Sequence, residues 1–412
     1  MVLTTPQCQK IRSTLPALNC HGEEIATTFY QGLLRGHPEL KNYFNAANLE
    51  NKLQPRAMAS LIIKFASNVN NIHELIPSME RICHKHASVG VQSYHYAAME
   101  RHLLDALTGV LDSSMTLDAK IAWKNAYWTL ANMFITRERQ LYDSFGSWTN
   151  WRAFIVDKKI YESQDIASFY LRPENGAELP AYGPGQYVSI KVATEEEKCP
   201  QIRQYALSDA PNAHHYRITV QRDQGLDHET IGGDPCPHRT SKGIVSNHML
   251  DHVKIGDYLA LNHPAGHVFL DTSNPSNAPV VLISKGIGAT PMLSILEYIA
   301  KFQPNRKVAW ISTSSHIFPF RQRVEDLCAH CDSRRCVFVK RGPQASSTEQ
   351  ANGEHKFGWS LIQEDYFYFD YDCTEYFVCG SEYPMVQLVD FLEAHGVDKS
   401  RIKYELQSVA RS

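Results

Sequence analysis

The feature that most limits what this chain can fold into is a change of hydrophobic period near residue 147. Upstream of it, apolar residues recur at helical spacing. Leu61, Ile62, Phe65 and Val69 make one face, extended by Met58. Met99, Leu103, Leu104, Leu107 and Val110 make a second, and Ile121, Tyr127, Leu130, Phe134 and Ile135 a third. Such spacing marks amphipathic helices, so residues 1–146 are expected to form one all-α unit. Gly146-Ser147-Trp148-Thr149 reads as a connector. Beyond it the period falls to two. Trp151–Val156, Ile166–Leu171, Tyr187–Ile190, Tyr216–Gln221 and Tyr258–Leu261 are short β-rich runs. Turn residues separate them, including Gly183-Pro184-Gly185 and Pro264-Ala265-Gly266. That pattern predicts an antiparallel β-barrel or sandwich over 150–265. The polar stretch 223–242 reads as an exposed loop between strands.

A third texture begins near residue 270. Val280–Ile283 is a continuous apolar strand, and a helix over Met292–Phe302 follows. Lys307–Ile311, Val337–Val339 and Tyr376–Cys379 are further strands with helical stretches between. Alternating strand and helix predicts a parallel sheet with helices on both faces over 270–412. The expected fold is therefore multidomain: all-α, then antiparallel β-barrel, then α/β.

Composition removes several classes of function. A net charge of -3 gives no basic excess for nucleic acid. A hydrophobic share of 43% fills real cores and excludes dominant disorder. No apolar run approaches the ~20 residues of a membrane span. Met1–Lys10 lacks a hydrophobic signal core, so a cytoplasmic chain is expected. The 10 cysteines are dispersed and read as reduced thiols. Cys328, His330 and Cys331, with Cys336, lack the second ligand pair a structural zinc site wants, and read as structural or incidental. The 19 histidines are more than a plain enzyme needs, which raises the expectation of one ligand among them.

Four motifs carry chemistry. Ser284-Lys285-Gly286-Ile287-Gly288-Ala289-Thr290-Pro291 sits between the first apolar strand and its helix. Glycines there let the backbone approach a ligand, and the helix N-terminus presents N–H groups to phosphate. Thr290 is expected to cap the helix and Pro291 to open its first turn. The other reading is a plain strand-to-helix turn. In the middle region, Arg203-Gln204-Tyr205-Ala206-Leu207-Ser208 lies on an expected strand, Tyr187 follows Pro184-Gly185-Gln186, and Gly243-Ile244-Val245-Ser246-Asn247 lies downstream. An arginine can clamp a diphosphate and a tyrosine can stack on a flat ring. By spacing alone, the residues read as a surface arginine and a half-buried tyrosine.

The order of these motifs, closed by Cys379-Gly380, resembles the ferredoxin–NADP reductase superfamily from about residue 151 onward. The upstream region carries His37-Pro38-Glu39-Leu40, Phe44-Asn45, Gln54, Lys85-His86-Ala87-Ser88, Tyr96 and Glu138. With them, the whole chain resembles a flavohaemoglobin. The resemblance implies haem b, FAD, and NADH or NADPH as cofactors. It implies nitric oxide dioxygenase activity, oxidising NO to nitrate with O₂, in a monomer without a membrane span. His84 and His86 compete as iron ligand by sequence, and the family pattern selects His86. Tyr96 and Glu138 match the pair behind that ligand, and Tyr30 and Gln54 the pair on the oxygen side. Phe44 and Met58 match pocket-lining positions. Tyr187, Arg203, Gln204, Tyr205, Ala206, Val245 and Ser246 match the flavin positions. Gly286, Ile287, Gly288, Ala289, Thr290, Pro291, Cys379 and Gly380 match the nicotinamide-nucleotide positions. Lys85 and Glu405 match positions where the flavin and haem units meet.

This chain also departs from the pattern. Ala206 replaces a serine, Lys285 a small residue, Ser381 a proline, and Pro384-Met385 stands for a Phe-Met pair. Gln407 stands where an aromatic covers the flavin. These departures motivate a second expectation, a haem-based NO or O₂ binder or sensor with impaired reductase activity. A third is a general NAD(P)H-dependent haem or peroxide reductase.

Overall fold

A computed structural model describes residues 3–148, 150–194, 200–225, 242–273, 276–314, 317–329, 331–340, 359–380 and 382–406. The first unit is helical: α1 (Thr5–Ser13), α2 (Leu15–Gly36), α3 (Ala46–Glu50), α4 (Leu53–Ser67), α5 (Ile76–Val89), α6 (His95–Leu111) and α7 (Leu117–Ser144). Caps fix its ends locally. The Thr4 hydroxyl accepts from the Gln7 backbone N–H while the Gln7 side chain accepts from the Thr4 N–H. Thr116 caps α7 in the same way through the Ala119 N–H. One apolar cluster fills the unit, with Phe29, Leu33, Phe65, Leu107, Trp123 and Phe134 among its members.

The third expected helical face needs correcting. Ile121 is half exposed, and α7 packs inward through Ala119, Ala122, Trp123, Ala126, Phe134 and Leu141. Small alanines let a neighbouring helix approach closely, so the buried stripe is carried by residues that a search for large apolar side chains passes over.

The second unit is a six-stranded antiparallel sheet in the order β4-β3-β6-β1-β2-β5. Its strands are β1 (Arg152–Ser163), β2 (Ile166–Pro173), β3 (Tyr187–Val192), β4 (Gln201–Ala206), β5 (Tyr216–Gln221) and β6 (Tyr258–Leu261), with α8 (Ile244–Asp251) before β6. Leu207 bridges Ile218 and the Ser208 N–H donates to Arg217 O at 2.8 Å, which draws the two edge strands together as a barrel. β1 runs past the expected Val156 to Ser163, because a register irregularity between Val156 and Lys158 breaks the alternation without ending the strand. Trp148, read as connector, is a core residue of this unit, stacked on Phe154 with ring centroids 5.6 Å apart. Of the 223–242 loop, residues 226–241 lie outside the described residues, as does the cysteine cluster's His330.

The third unit is a parallel sheet in the order β11-β10-β7-β8-β9. It comprises β7 (Val280–Lys285), α9 (Ala289–Phe302), β8 (Val308–Ser314), α10 (Arg321–Ala329), β9 (Arg334–Lys340), β10 (Glu375–Gly380), α11 (Glu382–Ala394) and β11 (Ile402–Leu406). Apolar clusters cover both faces. β11 has no strong sequence signal, because a five-residue edge strand alternates lysine and glutamate with only two apolar side chains, Ile402 and Tyr404, before its end. The first and fourth strands, β7 and β10, are neighbours. Strand order reverses there, and ligands of open α/β sheets bind outside the carboxyl ends at such a point. Among the described residues, no helix is long and apolar enough to cross a membrane.

Candidate functional site

Helix α5 presents two histidines to two different environments. His84 lies on the face turned to the barrel: its Nδ1 accepts from the Gly266 N–H at 3.2 Å and its Nε2 contacts Glu80 at 3.1 Å. Glu80 is itself held by Arg137, whose guanidinium, more than the His84 contact, keeps the carboxyl far below the usual range. His86 is two residues on, about 200° around the helix, and faces the helical unit. Its Nδ1 lies 2.7 Å from Glu138 Oε1 and 3.2 Å from the Tyr96 hydroxyl. Tyr96 donates to the same carboxylate oxygen at 2.7 Å, and its own backbone carbonyl accepts from Tyr127 at 2.7 Å. Burial first, then the Glu138 charge, pushes the Tyr96 phenol far up, so it stays a donor. The carboxylate accepts, so the imidazole proton sits on Nδ1 and the lone pair is left on Nε2. Nε2 makes no hydrogen bond among the described residues, and the ring is 30% exposed although Glu138 beside it is 3% exposed. An oriented imidazole with one free nitrogen, backed by a buried carboxylate, fits an axial ligand to haem iron.

A second polar pair lies in the same unit. Gln54, in the first turn of α4, donates to the Tyr30 hydroxyl at 3.1 Å. Tyr30 is buried, edge-on to Phe44 at 5.4 Å, and burial raises its hydroxyl to about 12. Met58 and Phe44 are half-buried against the same core. The pair is a neutral donor system at pH 7.

The barrel side of α5 meets β3 and β4. Ile202 to Ala206 of β4 are all half exposed, and Tyr187 of β3 pairs with Ala206. Ile202 packs against the helical core and the Arg203 guanidinium donates to Asn45 Oδ1 at 3.1 Å, so β4 is shared between units. Lys85 lies on the same side, with its ammonium held below its usual value by loss of hydration and then by Arg81. Glu405 meets it from β11, 3.7 Å from Arg81 and 3.8 Å from His267. Burial raises the Glu405 carboxyl against the pull of Arg81 and Lys85. Val245 is buried at the start of α8. The neighbouring Ser246 hydroxyl donates to Gly243 O at 3.2 Å and accepts from the Asp223 N–H at 3.3 Å, so Asp223 lies at this helix N-terminus. Half-exposed Tyr187 and Tyr205 and the Arg203 guanidinium on the paired strands β3 and β4 fit a flavin dinucleotide.

At the end of β7, Gly286 takes a left-handed φ of 55° and opens a short 3₁₀ turn to Gly288. A methyl on Gly288 would collide with the Cys379 carbonyl and lie 3.1 Å from Gly380 N, so only glycine lets the two strand ends meet. The expected Thr290 cap is not formed. Helix α9 already begins at Ala289, and the Thr290 hydroxyl donates back to Ile287 O at 2.9 Å. Ile287 is half exposed and Ala289 and Pro291 are buried. The open turn above the β7–β10 junction fits a nucleotide diphosphate. Lys285 lies half exposed at its edge. Ser381 and Gln407 lie outside the described residues, and the side chains of Pro384 and Met385 are not described.

Comparison with known proteins agrees with this layout. The globin family profile matches residues 27–134, and the oxidoreductase FAD-binding domain profile matches residues 153–270. The flavohemoprotein of Bacillus subtilis is 34% identical over 96% of this chain and 95% of its own length. The chain belongs to the flavohemoprotein family. The flavohemoprotein of Deinococcus radiodurans is 38% identical over 79% of this chain and 77% of its own length. The crystal structure of the Malassezia yamatoensis flavohemoglobin, with bound FAD and heme, superposes with a TM-score of 0.79 at 25% identity, covering 98% of this chain and 99% of that one. The FAD/NAD-binding domain of a Vibrio cholerae nitric oxide dioxygenase matches 62% of this chain and 98% of its own, with a TM-score of 0.50 and 33% identity.

Sequence reasoning gave no joining role to the residues that join the units: Ser88, Asn45, Asn262 and His267. One signal was present. His84, Lys85 and Ser88 are polar and lie i, i+1 and i+4 on a helix whose other face is apolar, which marks a second packed surface.

Proposed function

We propose that this flavohemoprotein is an NAD(P)H-dependent nitric oxide dioxygenase, with a globin domain over 1–146, an FAD-binding barrel over 150–265 and a nicotinamide-nucleotide domain over 270–412. The observation that carries the reading is helix α5: one face offers His86 Nε2 to the helical core and the other meets the flavin strands through Ser88, with Lys85 on the same side. One rigid element thus serves both redox sites.

When bound, flavin divides a hydride's two electrons into single steps, and haem iron supplies the place where O₂ and NO combine. Glu138 and Tyr96 hold the His86 proton on Nδ1 and make Nε2 electron-rich. Tyr30, oriented by Gln54, offers a hydroxyl donor to a polar diatomic gas. Tyr187, Tyr205 and Arg203 hold the flavin ring and phosphates. Gly286, Gly288, Thr290 and Gly380 cradle the nicotinamide nucleotide. Lys85 and Glu405 set the charge between the two redox sites. The partners are small molecules, and the chain acts as a cytoplasmic monomer that binds no nucleic acid.

The test is NADH consumption by haem- and FAD-replete protein with and without NO under air. The reading expects consumption that rises with NO and yields nitrate. NO-independent consumption, or none, sinks it.

A further inference from the structure

The last turn of α5 is completed by the barrel. Ser88 is fully buried, and its hydroxyl donates to Lys85 O at 2.8 Å. It accepts from Ser189 of β3 at 3.0 Å and from the Gln204 amide of β4 at 2.8 Å. A hydroxyl has one hydrogen and two lone pairs, so these three partners use its whole capacity, and the Tyr187 hydroxyl of β3 lies against it as well. Two of the three come from the flavin strands β3 and β4.

The helix end is tied in a second way. The final carbonyls of a helix lack partners within it. Here Asn262, just after β6, donates its amide to Ser88 O at 3.0 Å and to Ala87 O at 3.4 Å. The backbone supplies the rest: the Gly90 and Val91 N–H groups both donate to His86 O at 3.0 Å. The turn that carries His86 is therefore built half from α5 and half from the barrel. His86 lies two residues before Ser88, so a displacement of that turn moves its ring directly.

We propose that Ser88 is a positioning residue, which fixes the His86 ring against the flavin strands and so sets the geometry of electron passage between the two sites. The proposal rests on the functional reading above. It differs from the role given to Lys85 and Glu405, because Ser88 is neutral and acts through position alone. A fully satisfied buried hydroxyl has one favourable orientation, and losing it leaves both the Ser189 and Gln204 groups short of a partner.

The test uses the full-length chain carrying its cofactors. In Ser88→Ala, haem reduction by flavin, followed by stopped flow at the Soret band, should slow severalfold, because the turn that carries the His86 ring loses a bond that holds it to the barrel strands. NADH-driven ferricyanide reduction, which draws on the flavin alone, should fall by less than haem reduction does, even though the Gln204 amide that Ser88 holds also lies at the flavin strands. Amide exchange at Gly90 and Val91 should quicken on the order of tenfold. Ser189→Ala, which removes one bond and leaves Ser88 in place, should show the same pattern more weakly, and Ser88→Thr should restore both. Unchanged exchange in both alanine variants overturns the proposal, as does an equal fall in ferricyanide and haem reduction. A wild-type chain whose flavin never reduces its haem sinks the functional reading alone, and the exchange comparison still decides whether Ser88 grips the helix.

Discussion

Replacing Glu138 with glutamine keeps the side-chain shape and removes its charge. The carboxylate oxygen accepts two bonds, each at 2.7 Å, from His86 Nδ1 and the Tyr96 hydroxyl, in a site 3% exposed. A hydrogen bond to a charged group contributes about 1.5–3 kcal/mol net, against about 0.5–1.5 for a neutral one. The amide oxygen therefore holds the imidazole less firmly by about 1–2 kcal/mol. An electron-rich imidazole favours ferric over ferrous iron, so the weakened bond raises the haem potential. At 59 mV per tenfold change for a one-electron couple, the rise is about 40–90 mV. The assay is a spectroelectrochemical titration of the Soret band in wild type and Glu138→Gln, with thermal unfolding followed in parallel. A variant that binds haem with an unchanged or lower potential would refute the claim that Glu138 tunes His86.

Three further outcomes are expected. His86→Ala should lose the haem Soret band while His84→Ala keeps it, because of the two only His86 keeps an unbonded nitrogen, Nε2, among the described residues; the reverse result means the wrong histidine was chosen. Gly288→Ala should raise KM for the nicotinamide nucleotide by at least about tenfold with flavin and haem content unchanged, since the added methyl meets the Cys379 carbonyl; unchanged steady-state kinetics would contradict the cradle. Burial lowers His263 to about 4, and its ring stacks on Phe145 at 3.8 Å, so the folded state favours the neutral form. The stability this gives is complete above about pH 6.5 and is lost progressively as pH falls from there to about 4, with on the order of 2 kcal/mol gone by pH 5. Urea unfolding at pH 7 and pH 5 measures it, and His263→Phe should flatten the slope; an equally steep variant rules His263 out as the cause.

What could be read from the sequence follows the physics of each element. The three textures were legible because long amphipathic helices, alternating strands and buried parallel strands leave different periods. Ile121 misled because α7 buries alanines, which carry little hydrophobic weight but permit close packing. β11 was hidden because its residues alternate with charges. The choice between His84 and His86 was beyond spacing alone: neighbours on one helix differ only in which face meets which unit. The join between units was least legible, since Ser88, Gln204 and Asn262 are separated by 116 and 174 residues and meet only in three dimensions.

The central claim is that electrons pass from a nicotinamide nucleotide through flavin to a haem held by His86. One anaerobic absorption experiment tests it most directly. Purified protein should show both a haem Soret band and flavin absorption. Adding NADH without a mediator should bleach the flavin and shift the Soret band to its ferrous position. A bleached flavin beside a haem that stays ferric, or a chain with no haem band at all, contradicts the account.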